Sequence, residues 1–130
     1  MNHGKVTIVD KGLVWLGSSL EDLKDMPADV QRRTGFDLRT VQQGDRPSSA
    51  KTLSGFSGAS VLELKEDFDK DTYRAVYTIR YEEAVYVLHC FMKKSTIGSA
   101  MSRLDKEMID RRLKLAAEEH NKWLEQQRKK

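Results

Sequence analysis

Between Tyr73 and Ser95 the chain reads YRAVYTIRYEEAVYVLHCFMKKS, and no other stretch restricts the fold so tightly. Tyr73, Ala75, Tyr77, Ile79 and Tyr81 alternate with Arg74, Val76, Thr78 and Arg80, the period of two that a half-buried strand requires. Glu82-Glu83 then predicts a two-residue turn into a second strand. With Tyr81 facing Ala84, the register puts Arg74 beside Phe91 and Val76 opposite His89, because cross-strand partners share a face. One side of this hairpin thereby holds Arg74, His89 and Lys93. The other holds Tyr77, Ile79, Leu88, Cys90 and Met92, which is the set a core takes up.

Upstream, SVLELK predicts a third strand. Leu62 and Leu64 must join the apolar side, which sends Glu63 and Lys65 to the side of Arg74 and His89. A slip of one residue would bury both charges and expose both leucines, so the register is strongly specified. The expected result is a cationic patch on one wall of a sheet.

The rest of the chain frames that patch. At 130 residues with 33% charged side chains, it is expected to form one domain, residues 1–130, with a single core. There is no apolar run near the roughly 18 residues needed to span a bilayer, and the N-terminus lacks a secretory pattern, so the expected location is cytoplasmic. Cys90 is the single cysteine, which excludes an intramolecular disulfide and a cysteine-rich zinc site. On a core-facing strand position it reads as a small hydrophobe rather than a nucleophile. The formal charge of +3 is too mild to argue for nucleic acid by itself; the whole excess lies between residues 99 and 130.

Along the chain, Lys5 to Leu16 reads as one strand or a short hairpin, and Ser18 or Ser19 offers a helix cap. Leu20, Leu23 and Met26 stand at helical spacing, and Pro27 opens a second helix that stops at Gly44, with Val30, Thr34 or Phe36, and Val41 inward. Residues 44–59 form a long polar loop carrying Lys51, a solvated loop lysine on the plain reading and one that reaches a ligand on the sharper one. Glu66 to Asp71 reads as a polar hairpin connection. Leu104, Met108, Ile109, Leu113 and Ala116 predict a long C-terminal amphipathic helix, with Ser102 and Asp105 as a weakened capping box. Past Ala117 the apolar stripe thins to His120, Trp123 and Leu124, so residues 118–130 are expected to project as a basic helix end.

Metal chemistry finds little support in the spacing. Asp67, Asp69 and Asp71 imitate a calcium loop, but Thr72 stands where that loop needs glycine and the closing glutamate is missing. His3, His89 and His120 lie on separate elements. An acyl-transfer serine is equally unsupported, since there is no GxSxG elbow. Lys65, Arg74, His89, Lys93 and Lys94 remain, a set suited to a phosphodiester: guanidinium and ammonium groups neutralise oxygens while imidazole exchanges protons near neutral pH. The plain alternative is that the lysines are solvated, Arg74 pairs with Glu63, and His89 is a satisfied strand histidine.

These residues resemble the RelE/HigB superfamily of bacterial toxins, in particular its phage-derived HigB-like branch. The likeness runs from about Leu13 to Ala117 through WLGSSLEDLKDMP, VQQG, KTLSGFSGASVLELK, YRAVY, AVYVLHCFMKKS and RRLKLA. It implies an α+β fold: an antiparallel sheet with two N-terminal helices and a long C-terminal helix. It also implies a toxin–antitoxin toxin, a metal-independent mRNA endonuclease working at the ribosome, in which the ribose 2′-hydroxyl attacks the adjacent phosphate. Partners implied are mRNA, the ribosome and a helix-turn-helix antitoxin; no cofactor is expected, and self-association stays open. By the same resemblance Arg74, His89 and Lys94 are the catalytic candidates, and Lys51, Lys65 and Lys93 the RNA-binding ones. Thr52 stands where the family often has proline, and Met101-Ser102 where it often has Thr-Pro. Two other roles share the fold: a ParE-like gyrase poison that cuts no RNA, and a phage or host interaction module.

Overall fold

Alternating strands need a cover on each apolar face, and the helices supply it. The computed structural model describes residues 10–56, 58, 60–93 and 101–130. In chain order these form β1 (Gly12–Trp15), α1 (Ser19–Lys24), α2 (Ala28–Gln42), β2 (Ala50–Thr52), β3 (Val61–Phe68), β4 (Asp71–Thr78), β5 (Ala84–Lys93) and α3 (Arg103–Arg128). The sheet runs β1-β5-β4-β3-β2. It is antiparallel except at one edge, where β1 lies parallel to β5 after the α1–α2 connection has carried the chain across.

Arg74 pairs with Phe91 and Val76 with His89, as the alternation predicts. Beyond Val76 the register shifts: Tyr77 faces Val87, which leaves Leu88 as the extra residue of a β-bulge. The predicted Tyr81–Ala84 turn is therefore replaced by a five-residue connection from Ile79 to Glu83. The bulge also sends Leu88 to the opposite core from Cys90, where the unbroken alternation had placed them together. Ile79 and Met92 end up substantially exposed, at 39% and 40%. At the other end the β3–β4 turn is tighter than expected. Only Asp69 and Lys70 leave the strands, both at positive φ, the conformation of a type I′ hairpin.

Two cores result. On one face Leu23, Leu38 and Val41 of α1 and α2 pack on Leu62, Leu64, Tyr77 and Cys90. On the other, Ile109 and Ala116 of α3 pack on Leu16, Val61, Val76 and Leu88. Burying each such aliphatic side chain contributes roughly 1.5–3 kcal/mol. Of the two inward candidates on α2, Thr34 is buried and Phe36 is 73% exposed. Gly44, at φ 91°, ends α2 as expected.

Arg112 locks α3 down. Its guanidinium donates to the Leu88 carbonyl at 2.8 Å and to Ser18 Oγ at 3.1 Å, satisfying backbone at the bulge. Gly17 leaves the space for it: φ is +54°, and a Cβ there would stand 2.7 Å from the guanidinium. The helix remains docked past residue 118, because His120 is 3% exposed and sits against Tyr86. The projecting end thus begins later than expected, with residues 125–130 exposed. Leu104 is 79% exposed and takes no part in the buried stripe.

One partly buried carboxyl makes stability depend on pH. Burial, then a hydrogen bond and charge repulsion with Asp37, push the Glu66 carboxyl up to about 7, against the pull of Arg33. Between the ordinary value of 4.5 and about 7 the folded chain keeps a proton that the unfolded chain has released. Stability is therefore expected to fall by about 1 kcal/mol as pH rises through that window, after allowance for solvent screening. Urea titrations at pH 5 and pH 7.5 check this, and Glu66→Gln should flatten the difference.

Candidate nucleic-acid interface

The pleat sorts the polar residues into cross-strand rows on the α3 side of the sheet. Lys51, Glu63, Val76 and His89 form one row, Lys65, Arg74 and Phe91 the next, and Thr72 with Lys93 a third. Strand pairing thus brings Lys65, Arg74, His89 and Lys93 to one face, as the alternation predicts, and Lys51 joins them because β2, expected as part of a polar loop, pairs with β3. Lys94 lies outside the described residues.

That face is not an open wall. The start of α3 and residues 53–56 close over it, leaving a cavity of about 440 Å³ lined by Lys51, Lys65, Arg74, Glu63 and, from α3, Lys106. Glu63 is 1% exposed and lies at its floor. Arg74 Nη1 donates to Glu63 Oε1 in a buried ion pair. The plain alternative for Arg74 was therefore correct as to its partner. The pair is incomplete: Glu63 Oε2 and Arg74 Nε are buried and have no hydrogen-bond partner among the described residues. A buried carboxylate oxygen and a guanidinium N–H without partners are costly in a resting protein and are poised for an incoming polar group.

Lys93 belongs to the same electrostatic cluster. Its Nζ is buried and unpartnered among the described residues. Burial, then the charges of Arg74, Lys51 and Lys65, hold its pKa below the ordinary lysine value, with Glu63 opposing.

His89 lies on the expected face, opposite Val76, but is engaged there by α3. Its ring stacks on Phe91 at 4.7 Å, and Nε2 donates to Asp105 Oδ1 at 2.7 Å. Asp105 Oδ2 in turn accepts from Ser102 Oγ at 2.7 Å, while Ser102 Oγ caps the Asp105 N–H at 3.1 Å. Ser102 thus restores the cap at the position where the family often has Thr-Pro. With Nε2 engaged and Nδ1 buried, His89 ties β5 to the first turn of α3 beside the cavity and does not line it. Its expected acid or base role lacks the accessible ring nitrogen that such a role needs.

Glu63 and Lys106 are the residues that sequence reasoning left out of the site. Alternation already put Glu63 in the Arg74 row, and its burial between two strands is the missing signal. Lys106 carried none, since helix-on-sheet packing alone brings it there. Cys90 is 2% exposed with its thiol pushed up to about 12, chiefly by burial, which leaves it inert near neutral pH. Among the described residues no group of three or more His, Cys, Asp or Glu side chains is arranged to hold a metal ion, and no helix is long and apolar enough to cross a membrane.

Residues 21–114 match the family model for the phage derived protein Gp49-like (DUF891). Among solved structures, a double mutant of the E. coli toxin RelE in the free state aligns with a TM-score of 0.58 and 18% identity, covering 80% of this chain and 98% of that one. The isolated E. coli RelE toxin aligns at a TM-score of 0.48 and 20% identity, over 78% and 97% of the two chains. No curated protein sequence matches. The α+β architecture is that of RelE.

Proposed function

This chain belongs to the phage-derived Gp49-like family, and from that premise we propose that it is the toxin of a toxin–antitoxin pair. Its activity is metal-independent cleavage of messenger RNA at the ribosome. The single observation that carries this reading is the cationic cavity with a buried carboxylate at its floor. Lysines alone would suit any polyanion. A buried carboxylate oxygen without a partner, set among cations, suits a substrate that brings both a phosphate and a hydroxyl.

In this mechanism Lys51, Lys65 and Arg74 hold the non-bridging phosphate oxygens and stabilise the charge of the pentacoordinate phosphorus. Glu63 Oε2 takes the 2′-hydroxyl proton as O2′ bonds to phosphorus. The bond from phosphorus to O5′ breaks, and the leaving oxygen takes a proton from the ammonium of Lys106, which lines the cavity from α3, while Lys93 adds positive charge from the same face of the sheet. The products are a 2′,3′-cyclic phosphate and a 5′-hydroxyl. His89 is a positioning residue, holding the start of α3 through Asp105. Lys94 is assigned to the phosphate as well, on the resemblance to the RelE/HigB superfamily alone. A helix-turn-helix antitoxin completes the pair.

Ribosomes translating a defined message provide the test. Wild type should cut the message to products with the two termini named above. Lys51→Ala with Lys65→Ala, both exposed and outside the core, should slow cutting roughly ten- to hundredfold. Intact message sinks the reading. Growth arrest with intact transcripts and a DNA-damage response would point to a gyrase poison instead, and an absence of any arrest to an interaction module.

A further inference from the structure

At the far end of α3 from the cationic cavity lies a larger one, of about 800 Å³, with the opposite character. About 14 residues of helix, from Lys106 to His120, separate the two, or roughly 21 Å. Its walls are the rings of Tyr86, His120 and Trp123 and the apolar side chains Val14 and Ala84. Its rim carries Glu82, Glu83 and Glu119, whereas the chain as a whole is basic.

The rings are held rigidly. Tyr81 stacks on His120 at 4.2 Å, and Trp123 stacks on the same imidazole at 5.6 Å. His120 is pinned at both nitrogens, Nδ1 by the Tyr86 hydroxyl and Nε2 by Glu83 Oε1, each at 2.9 Å. Trp123 nevertheless stays 41% exposed, so an aromatic face is left open to the cavity. Of the remaining charges, Asp10 is paired with Arg39 at 2.6 Å, and Lys11 is the one cation among the described residues that lines the space. Glu82 has no partner among the described residues, and Glu119 meets only Lys122, at 4.0 Å. Open carboxylates beside a preformed aromatic face, here that of Trp123, bind flat organic cations: the ring stacks and the carboxylates neutralise.

We infer that this cavity receives an arginine side chain presented by a protein partner. Arginine is preferred over a free polyamine because its planar guanidinium stacks on the Trp123 ring while it forks to a carboxylate, and because the cavity is a single pocket rather than a row of acids. The site is separate from the cationic cavity and stands whatever reaction that cavity performs. A partner bound here would leave the Arg74 face free.

The probe is acetyl-Gly-Arg-Gly-amide, titrated into the isotope-labelled full chain and followed by NMR. The Trp123 indole N–H and the Gly12 amide should shift together, with the amides of Lys51 and Lys65 unmoved. Glu82→Gln with Glu119→Gln, both exposed, should weaken binding by about fivefold or more. The same peptide with citrulline in place of arginine keeps the shape without the charge and should not bind. No shift at Trp123, equal binding of the citrulline peptide, shifts confined to Lys51 and Lys65, or tighter binding of spermidine than of the peptide would each overturn the assignment.

Discussion

Arg74→Ala is expected to lower the unfolding free energy by about 3 kcal/mol, because it strands a carboxylate rather than merely deleting a surface charge. Glu63 is 1% exposed, pairs across the sheet with Lys51 and Val76, and has Arg74 as its hydrogen-bonded cation. Taking away one partner of a buried pair costs far more than the pair itself contributes, since the remaining charge keeps its desolvation penalty. Replacing both groups with methionine should therefore recover most of the loss, to within about 1 kcal/mol of wild type, while abolishing cleavage. Urea titrations of the three proteins at pH 7 check the expectation. An Arg74→Ala chain as stable as wild type would mean that Glu63 is neutralised by another group.

Glu63→Gln separates chemistry from folding. The amide oxygen still accepts from Arg74 Nη1, so part of the pair's stability is lost but less than in Arg74→Ala, and the side chain no longer takes a proton. Cleavage is read on chain shown by urea titration to be folded. If Glu63 Oε2 is the base, the cleavage rate falls by a factor on the order of 10² to 10⁴, the range general-base groups supply. Message binding, carried by Lys51, Lys65 and Arg74, should change little. Single-turnover cleavage on ribosomes, with binding measured in parallel, separates the two quantities. A Glu63→Gln chain that cuts at the wild-type rate removes Glu63 from the mechanism and returns the proton-transfer role to another group on that face.

Much of the site was legible because strand geometry is local. Leu62 and Leu64 had to face the core, so Glu63 and Lys65 had to face Arg74; the observed pairs Lys65–Arg74 and Val76–His89 follow. The Ser102–Asp105 cap was visible for the same reason, as a three-residue spacing that closes on itself. Leu88 was not. A bulge is one residue of slack taken up where two cores compete, and alternation contains no mark of where that slack falls. Leu104 and Leu113 stand at similar helical spacings, yet one is exposed and the other packs on the core, because only the sheet's extent decides where the helix is covered. His89 was placed on the right face opposite Val76, but its hydrogen-bond partner Asp105 was not foreseen, since it arrives from another element.

By itself, the order of residues determined which side chains share each face of β3, β4 and β5, because a period of two leaves a half-buried strand one tolerable register. It also determined that Lys65, Arg74, His89 and Lys93 gather on the side opposite Leu62, Leu64 and Tyr77. Only the tertiary structure decided what surrounds those cations. Laying α3 across the sheet turned an open wall into a cavity with a carboxylate floor, engaged His89 with Asp105 and brought in Lys106. These are contacts between elements distant in sequence, set by how a helix packs on a sheet, and no local spacing encodes them.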